Sequence, residues 1–216
     1  MATTRRRYFE RAHDGDGKRQ RTRAIILDAA IAIFARRGIA QGSIVEIAER
    51  AGLSNGAFYY HFRDKAALLD AVGGAVAATL VRDVDEAIED IALGSERVAA
   101  GAMLFISRGT ADPAWGQLII EALDDMGEFR DQIFRGVEKD VRVGIGQGLF
   151  HVPDSRAVLR ILLGIAASAM RLRLEAEDSA GIVELAAESI LRVLGLPPDE
   201  AGAIVARMSR RVLGAG

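Results

Sequence analysis

Residues 43–65, SIVEIAERAGLSNGAFYYHFRDK, leave the backbone few choices. Ser43 with Glu46 three residues on has the spacing of a helix capping box, and Ile44, Ile47 and Ala48 then share one face of a short helix. The helix runs to about Ala51, and Gly52 allows a sharp reversal. Ser54 caps a second short helix, whose Phe58 and Phe62 can close a small core with Leu53 and the first helix. Ala48 is small where the two would approach, and Asp64 caps a further helix starting at Lys65. The spacing predicts two short helices crossing steeply about a tight turn.

The outer face of the second helix is unlike a core face. Ser54, Asn55, Tyr59, Tyr60 and His61 present hydroxyl, amide and imidazole groups, while Gly56 and Ala57 leave the leading turn almost bare. Such a helix suits entry into a DNA major groove with its N-terminal end leading. Ser54 and Asn55 can donate to phosphates or bases, and Tyr59, Tyr60 and His61 can reach the phosphate rim or base edges. Lys65, in the first turn of the next helix, adds charge beside exposed amides that can also hold a phosphate. The plainer alternative is a helical hairpin that never meets DNA. Charge distribution bears on that choice. Within a net charge of −2, residues 1–65 carry 13 Lys and Arg against 7 Asp and Glu, leaving 15 against 23 for the rest. A basic first third on an acidic remainder fits a chain with one end meeting a polyanion, although uneven surface charge alone is common.

Elsewhere the sequence reads as helix joined by short loops, and no strand pattern interrupts it. Only four prolines occur in 216 residues, and half the chain is hydrophobic, enough for a sizeable core. Residues 1–20 show no sustained periodicity and carry Arg5-Arg6-Arg7, so they are expected as a flexible basic arm. That arm is either a solvated tail or a source of arginines for phosphates and the minor groove. A helix from Thr22 buries Ile26, Ala30, Ile33 and Phe34 and closes with Arg36-Arg37, with Gly38 as a left-handed stop. The helix from Lys65 extends to about Asp90, and its Gly73-Gly74 pair marks a weak point or a close contact. Further helices are expected near 95–109, 114–126, 128–147, 155–176, 179–194 and 198–212.

Over residues 43–65 the sequence resembles the tetracycline-repressor (TetR) family of bacterial transcription regulators. That family's helix-turn-helix reads approximately as a Thr or Ser cap, then I-A-x-x-A-G-[VL]-S-x-G-x-[LF]-Y-x-[HY]-F-x-x-K. The matching residues are Ser43, Ile47-Ala48, Ala51-Gly52-Leu53-Ser54, Gly56, Phe58-Tyr59, His61-Phe62 and Lys65. The resemblance implies phosphate contacts from Ser43, Tyr59, His61 and Lys65, and base or groove contacts from Ser54, Asn55, Gly56, Ala57 and Tyr60. Phe58 and Phe62 would be structural, and Asn55 and Tyr60 would set sequence preference. It also implies an all-α fold with an N-terminal three-helix DNA-binding domain at 21–66 and a helical-bundle dimerisation and effector domain at 67–216. The expected function is a repressor that binds an inverted repeat in double-stranded DNA as a homodimer and is released by a small-molecule effector. A regulator without an effector, or a helical enzyme or scaffold carrying an unrelated hairpin, are the alternatives.

For the body, the helix at 155–176 is apolar nearly all round and so must be buried on more than one side. With the helix at 179–194, carrying Ile182, Leu185, Ile190 and Val193, it can form a four-helix interface with a second copy. The effector residues expected among the bulky central positions are Met103, Phe105, Arg108, Trp115 and Phe134, with Gln117 and Glu121 as further polar anchors. Glu121, Asp124 and Asp125 otherwise read as a solvated acidic face. Catalysis lacks a constellation, since His13, His61 and His151 are scattered and without metal-ligand spacing. Gly144, Gly146 and Gly148 end a helix pattern and do not link a strand to one, so no nucleotide loop is expected. No cofactor, metal or membrane partner is expected. The chain has no cysteine, no export leader is visible, and Ile161–Met170 is about half the apolar length that a bilayer requires. A cytoplasmic location follows as the expectation.

Overall fold

The computed structural model describes residues 17–153, 156–176 and 179–214, and among these it contains ten α-helices and no strand. Helices α1 (Lys18–Arg37), α2 (Ile44–Arg50) and α3 (Asn55–His61) form an N-terminal head. Helices α4 (Lys65–Ala87), α5 (Gly94–Gly109), α6 (Pro113–Asp125), α7 (Gly127–Gly146), α8 (Arg156–Glu175), α9 (Ile182–Val193) and α10 (Pro198–Val212) form the body. No helix among the described residues is long and apolar enough to cross a membrane.

Local capping starts these helices where the sequence placed the signals. Ser43 accepts the Glu46 amide while the Glu46 carboxylate accepts the Ser43 amide, completing the capping box. Ser54 accepts the amide of Ala57, Asp64 that of Ala67, and Asp112 that of Trp115, with Pro113 in the first turn of α6. Gly52 has φ +70°, as the α2–α3 reversal requires, and the Leu53 amide returns to the Ala48 carbonyl at 2.9 Å.

Several boundaries differ from the expectation. Helix α1 begins at Lys18, so residues 18–20 are helical and only 1–16 of the expected arm lie outside the described residues. Without a side-chain cap at Gly17, this start leaves no signal for a sequence reading to find. Gly38 has φ +80° but ψ 159°, outside the left-handed helical region. Helix α4 ends at Ala87 and α9 begins at Ile182 after a left-handed Gly181.

The body core centres on α5, whose Ala99, Ala100, Met103 and Ile106 are fully enclosed. α4 packs along α7, while α9 and α10 pack on α5. Gly73 and Gly74 mark close packing and not weakness. A Cβ on Gly73 would lie 3.1 Å from Met126 Sδ, and one on Gly74 would lie 3.2 Å from Glu128 Cγ. α5 and α7 approach closely, where a Cβ on Gly94 would fall 2.3 Å from the backbone nitrogen of Gly144. At the end of α7 Gly144 therefore serves helix packing, whereas Gly146 and Gly148 face open space.

The head joins the body through α1 against α4 and α6. Glu121 on α6 accepts the Ile39 amide, just beyond α1, at 2.8 Å. That carboxylate is thus a tie between head and body, not part of a solvated face. Asp124 pairs with Arg171 of α8 at 2.8 Å.

Candidate nucleic-acid interface and body cavity

The head is held by an apolar wedge. Ile47, Ala48, Phe58, Phe62 and Leu68 are buried, and the Phe58 and Phe62 rings lie 5.8 Å apart. Burying Phe58 on the inner side of a two-turn helix forces its neighbours outward. Tyr59 is 53% and Tyr60 70% exposed. Ser54, Asn55 and Gly56 are exposed beside them, with Ala57, His61 and Lys65 half-buried. The outward face of α3 is therefore polar and aromatic, and it is continuous with the start of α4.

The proposed contact groups are not equally free. Ser43 Oγ accepts the Glu46 amide and donates to Glu46 Oε2 at 3.1 Å, so its proton is already used. Ser54 Oγ accepts from Ala57 and keeps its own hydrogen to give. Lys65 Nζ donates to the Ala40 carbonyl at 3.1 Å, which leaves two of its three hydrogens. A Cβ on Gly56 would meet nothing within 4 Å, so the head's own packing does not demand glycine there.

Two cations of α1 escaped the sequence reading. The Arg19 guanidinium lies 5.6 Å from the Tyr60 ring centre, and that of Arg23 lies 4.9 Å from the Phe62 ring centre. They sit one turn apart on the side of α1 that faces α3. An arm drawn to residue 20 hid this arrangement. Partial burial, with Arg19 and Arg23 nearby, holds the His61 imidazole below its ordinary pKa of 6.5. The Glu46 carboxyl is lowered by its hydrogen bond from the Ser43 backbone, by the Ser43 hydroxyl and by Arg37 and Arg36, against a smaller opposing effect of desolvation.

In the body, a cavity of about 80 Å³ lies between α4, α5, α7, α8 and α9. Its α5 wall is Val98, Gly101, Ala102 and Phe105, one helical face by their spacing. Of the expected effector residues, Phe105 lines it and Met103, Arg108, Trp115 and Phe134 do not. Met103 falls on the opposite side of α5, in the core. Arg108 donates to the Asp83 carbonyl at 2.6 Å, and Trp115 is buried in α6, away from the cavity. Phe134 is buried beneath Arg156, one position round the helix from the lining Ile133.

The polar end of the cavity was not foreseen. Arg97 Nε donates to Asp140 Oδ1 at 2.7 Å, and its Nη1 donates to the carbonyls of Ile88 and Ile91 just past α4. Their side chains are only 13% and 9% exposed, and both line the cavity. Desolvation raises the Asp140 pKa above its ordinary value and Asp85 adds to this, while Arg97 and Lys139 oppose it. Among the described residues no cluster of three or more His, Asp or Glu side chains could hold a metal ion.

A helix-turn-helix head on an all-helical body defines the class of protein. Residues 26–72 match the family model described as bacterial regulatory proteins, tetR family, and residues 94–207 match the tetracyclin repressor-like C-terminal domain. The chain belongs to the tetR family of bacterial regulatory proteins. The regulator TtgR of Pseudomonas putida is 47% identical over 53 residues, which cover 24% of this chain and 25% of TtgR. This match spans about a quarter of TtgR. SrpR of Pseudomonas putida is 26% identical over 192 residues, covering 83% of this chain and 88% of SrpR. Among solved structures, the protein RolR bound to resorcinol superposes with a TM-score of 0.71 and 26% identity, covering 88% of this chain and 95% of RolR. FadR from Bacillus subtilis with stearoyl-CoA has the same fold, with a TM-score of 0.63 at 20% identity, covering 79% of this chain and 97% of FadR.

Proposed function

We propose that this protein is a sequence-specific DNA-binding transcriptional regulator, a repressor that binds an inverted repeat as a dimer and is released by a small molecule. The observation that carries the DNA-binding reading is the outward face of α3. Tyr59 and Tyr60 are exposed there beside a glycine that the fold itself does not require. A bare leading turn lets backbone approach a groove, and the rings and hydroxyls beyond it reach phosphates and base edges. Tyr59, His61 and Lys65 are assigned to phosphates. Asn55 and Tyr60, with Ser54, Gly56 and Ala57, are assigned to the groove. Ser43 serves the phosphate edge only through its cap, since its hydroxyl is engaged by Glu46.

The dimer reading rests on two unpartnered stripes. On α8, Ile161, Gly164, Ser168 and Leu172 are exposed at three- and four-residue spacing, and on neighbouring α9 Leu185 is 65% exposed. Apolar and small residues at those intervals suit a four-helix contact with a second copy. The effector reading is supported by the cavity between α4 and the rest of the body, and by the resorcinol held by RolR. Because α4 starts directly after the head, a ligand that moves α4 changes the separation of the two recognition helices.

The test is a gel shift on DNA flanking the protein's own gene, repeated over a range of salt. Binding that weakens steeply with salt is expected, with Tyr59→Ala and Lys65→Ala reducing it on all sequences. Asn55 or Tyr60 substitutions should change which sequences bind. No shift on that DNA, together with no enrichment from a random pool, overturns the reading.

A further inference from the structure

The body cavity is apolar along most of its wall and has charge at one end only. There Arg97 and Asp140 face each other at 2.7 Å, and Asp85 pairs with Lys139, also at 2.7 Å. Asp140 Oδ1 accepts the hydrogen bond from Arg97 Nε–H, while Oδ2 accepts no hydrogen bond among the described residues. No fully buried side-chain oxygen or nitrogen among those residues lacks a partner, so Oδ2 keeps some accessible surface, and Asp140 is part of the cavity lining. An almost buried carboxylate with an unused lone pair is costly unless something donates to it.

We propose that Asp140, held in place by Arg97, is the anchor that selects the effector, and that the effector is a small, neutral, largely apolar molecule with a hydroxyl donor at one end. This rests on the effector reading above and specifies its chemistry. Neutrality follows from charge count. Of the three charged lining residues, Arg97 and Asp140 pair with each other and Asp85 is paired by Lys139 from outside the lining, so an ammonium or carboxylate on the ligand would enter without a free counter-charge among apolar walls. Size follows from volume. A cavity of about 80 Å³ is smaller than the ~150 Å³ engineered cavity that admits benzene, so a single ring already has to part the walls. Gly101, Gly136 and Ala166 present small surfaces to the cavity from three helices. A Cβ on Gly136 would lie 3.2 Å from Val81, so α7 and α4 touch beside the cavity and its opening separates them. Arg97 also grips the carbonyls of Ile88 and Ile91, so the anchor is tied to the chain just past the far end of α4.

The experiment is calorimetry on the full chain with phenol, toluene and benzylamine, which are similar in size and differ in the polar group. Phenol is expected to bind about ten-fold or more tighter than toluene, the range of a hydrogen bond to a charged acceptor, and benzylamine no tighter than toluene. Asp140→Asn is expected to keep toluene binding and lose most of the preference for phenol. Ala102→Leu, which fills the cavity, is expected to abolish both. Equal binding of phenol and toluene by the wild type overturns the anchor and leaves the cavity reading standing, and so does a preference that survives Asp140→Asn. Tighter binding of benzylamine than of phenol overturns neutrality. Failure of every probe to bind the wild type overturns both readings. The wild-type comparison decides the matter even where Asp140→Asn does not fold.

Discussion

At the scale of single residues, burial and exposure pull α3 into two functions. Phe58 is fully buried and Tyr60 largely exposed two positions on, so a two-turn helix anchors itself on one side and offers rings on the other. Gly56 separates folding from binding most cleanly. Gly56→Ala meets no atom within 4 Å and is expected to stabilise the free protein by about 0.5–1 kcal/mol through helix propensity. The same methyl is expected to weaken operator binding by blocking close approach. Thermal unfolding and a gel shift on one preparation check both effects. His61 supplies a pH test. Its folded pKa lies below 6.5, so its contribution to stability is present above that value and is lost as pH falls through the folded pKa. Phosphates placed beside it reverse the preference and raise its pKa. Operator binding is therefore expected to take up protons and tighten as pH falls from about 7.5 to 5.5. His61→Gln is expected to flatten that slope, as measured by titration at each pH.

Among elements, the joint between head and body turns on α6. Glu121 accepts the Ile39 amide across 82 positions of sequence and is also reached by Gln117. Glu121→Ala leaves that amide with no fixed acceptor. The expected loss is about 1 kcal/mol, less than the ~1.5–3 kcal/mol of a buried charged hydrogen bond because the carboxylate is partly exposed. Faster hydrogen exchange at the Ile39 amide and a lower denaturation midpoint are the readouts. α4 carries the other half of the joint. Asp64 caps its start beside α3, and Arg97 holds the carbonyls beyond its end. One helix is thus fixed at the head by its cap and just past its far end by a guanidinium.

For the whole molecule, the body carries exposed stripes on α8 and α9. Leu185 is 65% exposed in a single chain, so Leu185→Glu is expected to change the stability of the isolated chain by no more than about 0.5 kcal/mol. If the proposed dimer uses this face, the substitution is nevertheless expected to give a monomer in sedimentation and to weaken binding to a paired site. A variant that remains dimeric would move the interface away from α9.

The helices, their caps and the helix-turn-helix are legible in the sequence, because each depends on residues within a turn or two of one another. Ser43 with Glu46, Ser54 with Ala57 and Asp64 with Ala67 all lie three positions apart. Lys18 to Gln20 were misplaced because α1 starts without a side-chain cap. Contacts between elements are set by folding and not by local spacing. Arg97 and Asp140 stand 43 positions apart and read in sequence as ordinary surface charges, and folding brings them to one cavity wall. Phe105 and Met103 look alike as bulky apolar residues of one helix, yet only Phe105 faces the gap. A cavity is set by atoms that neighbouring helices leave out, and no local spacing records that. Leu185 and Leu191 differ in the same way, since the letter shows that a residue prefers burial but not which neighbour covers it.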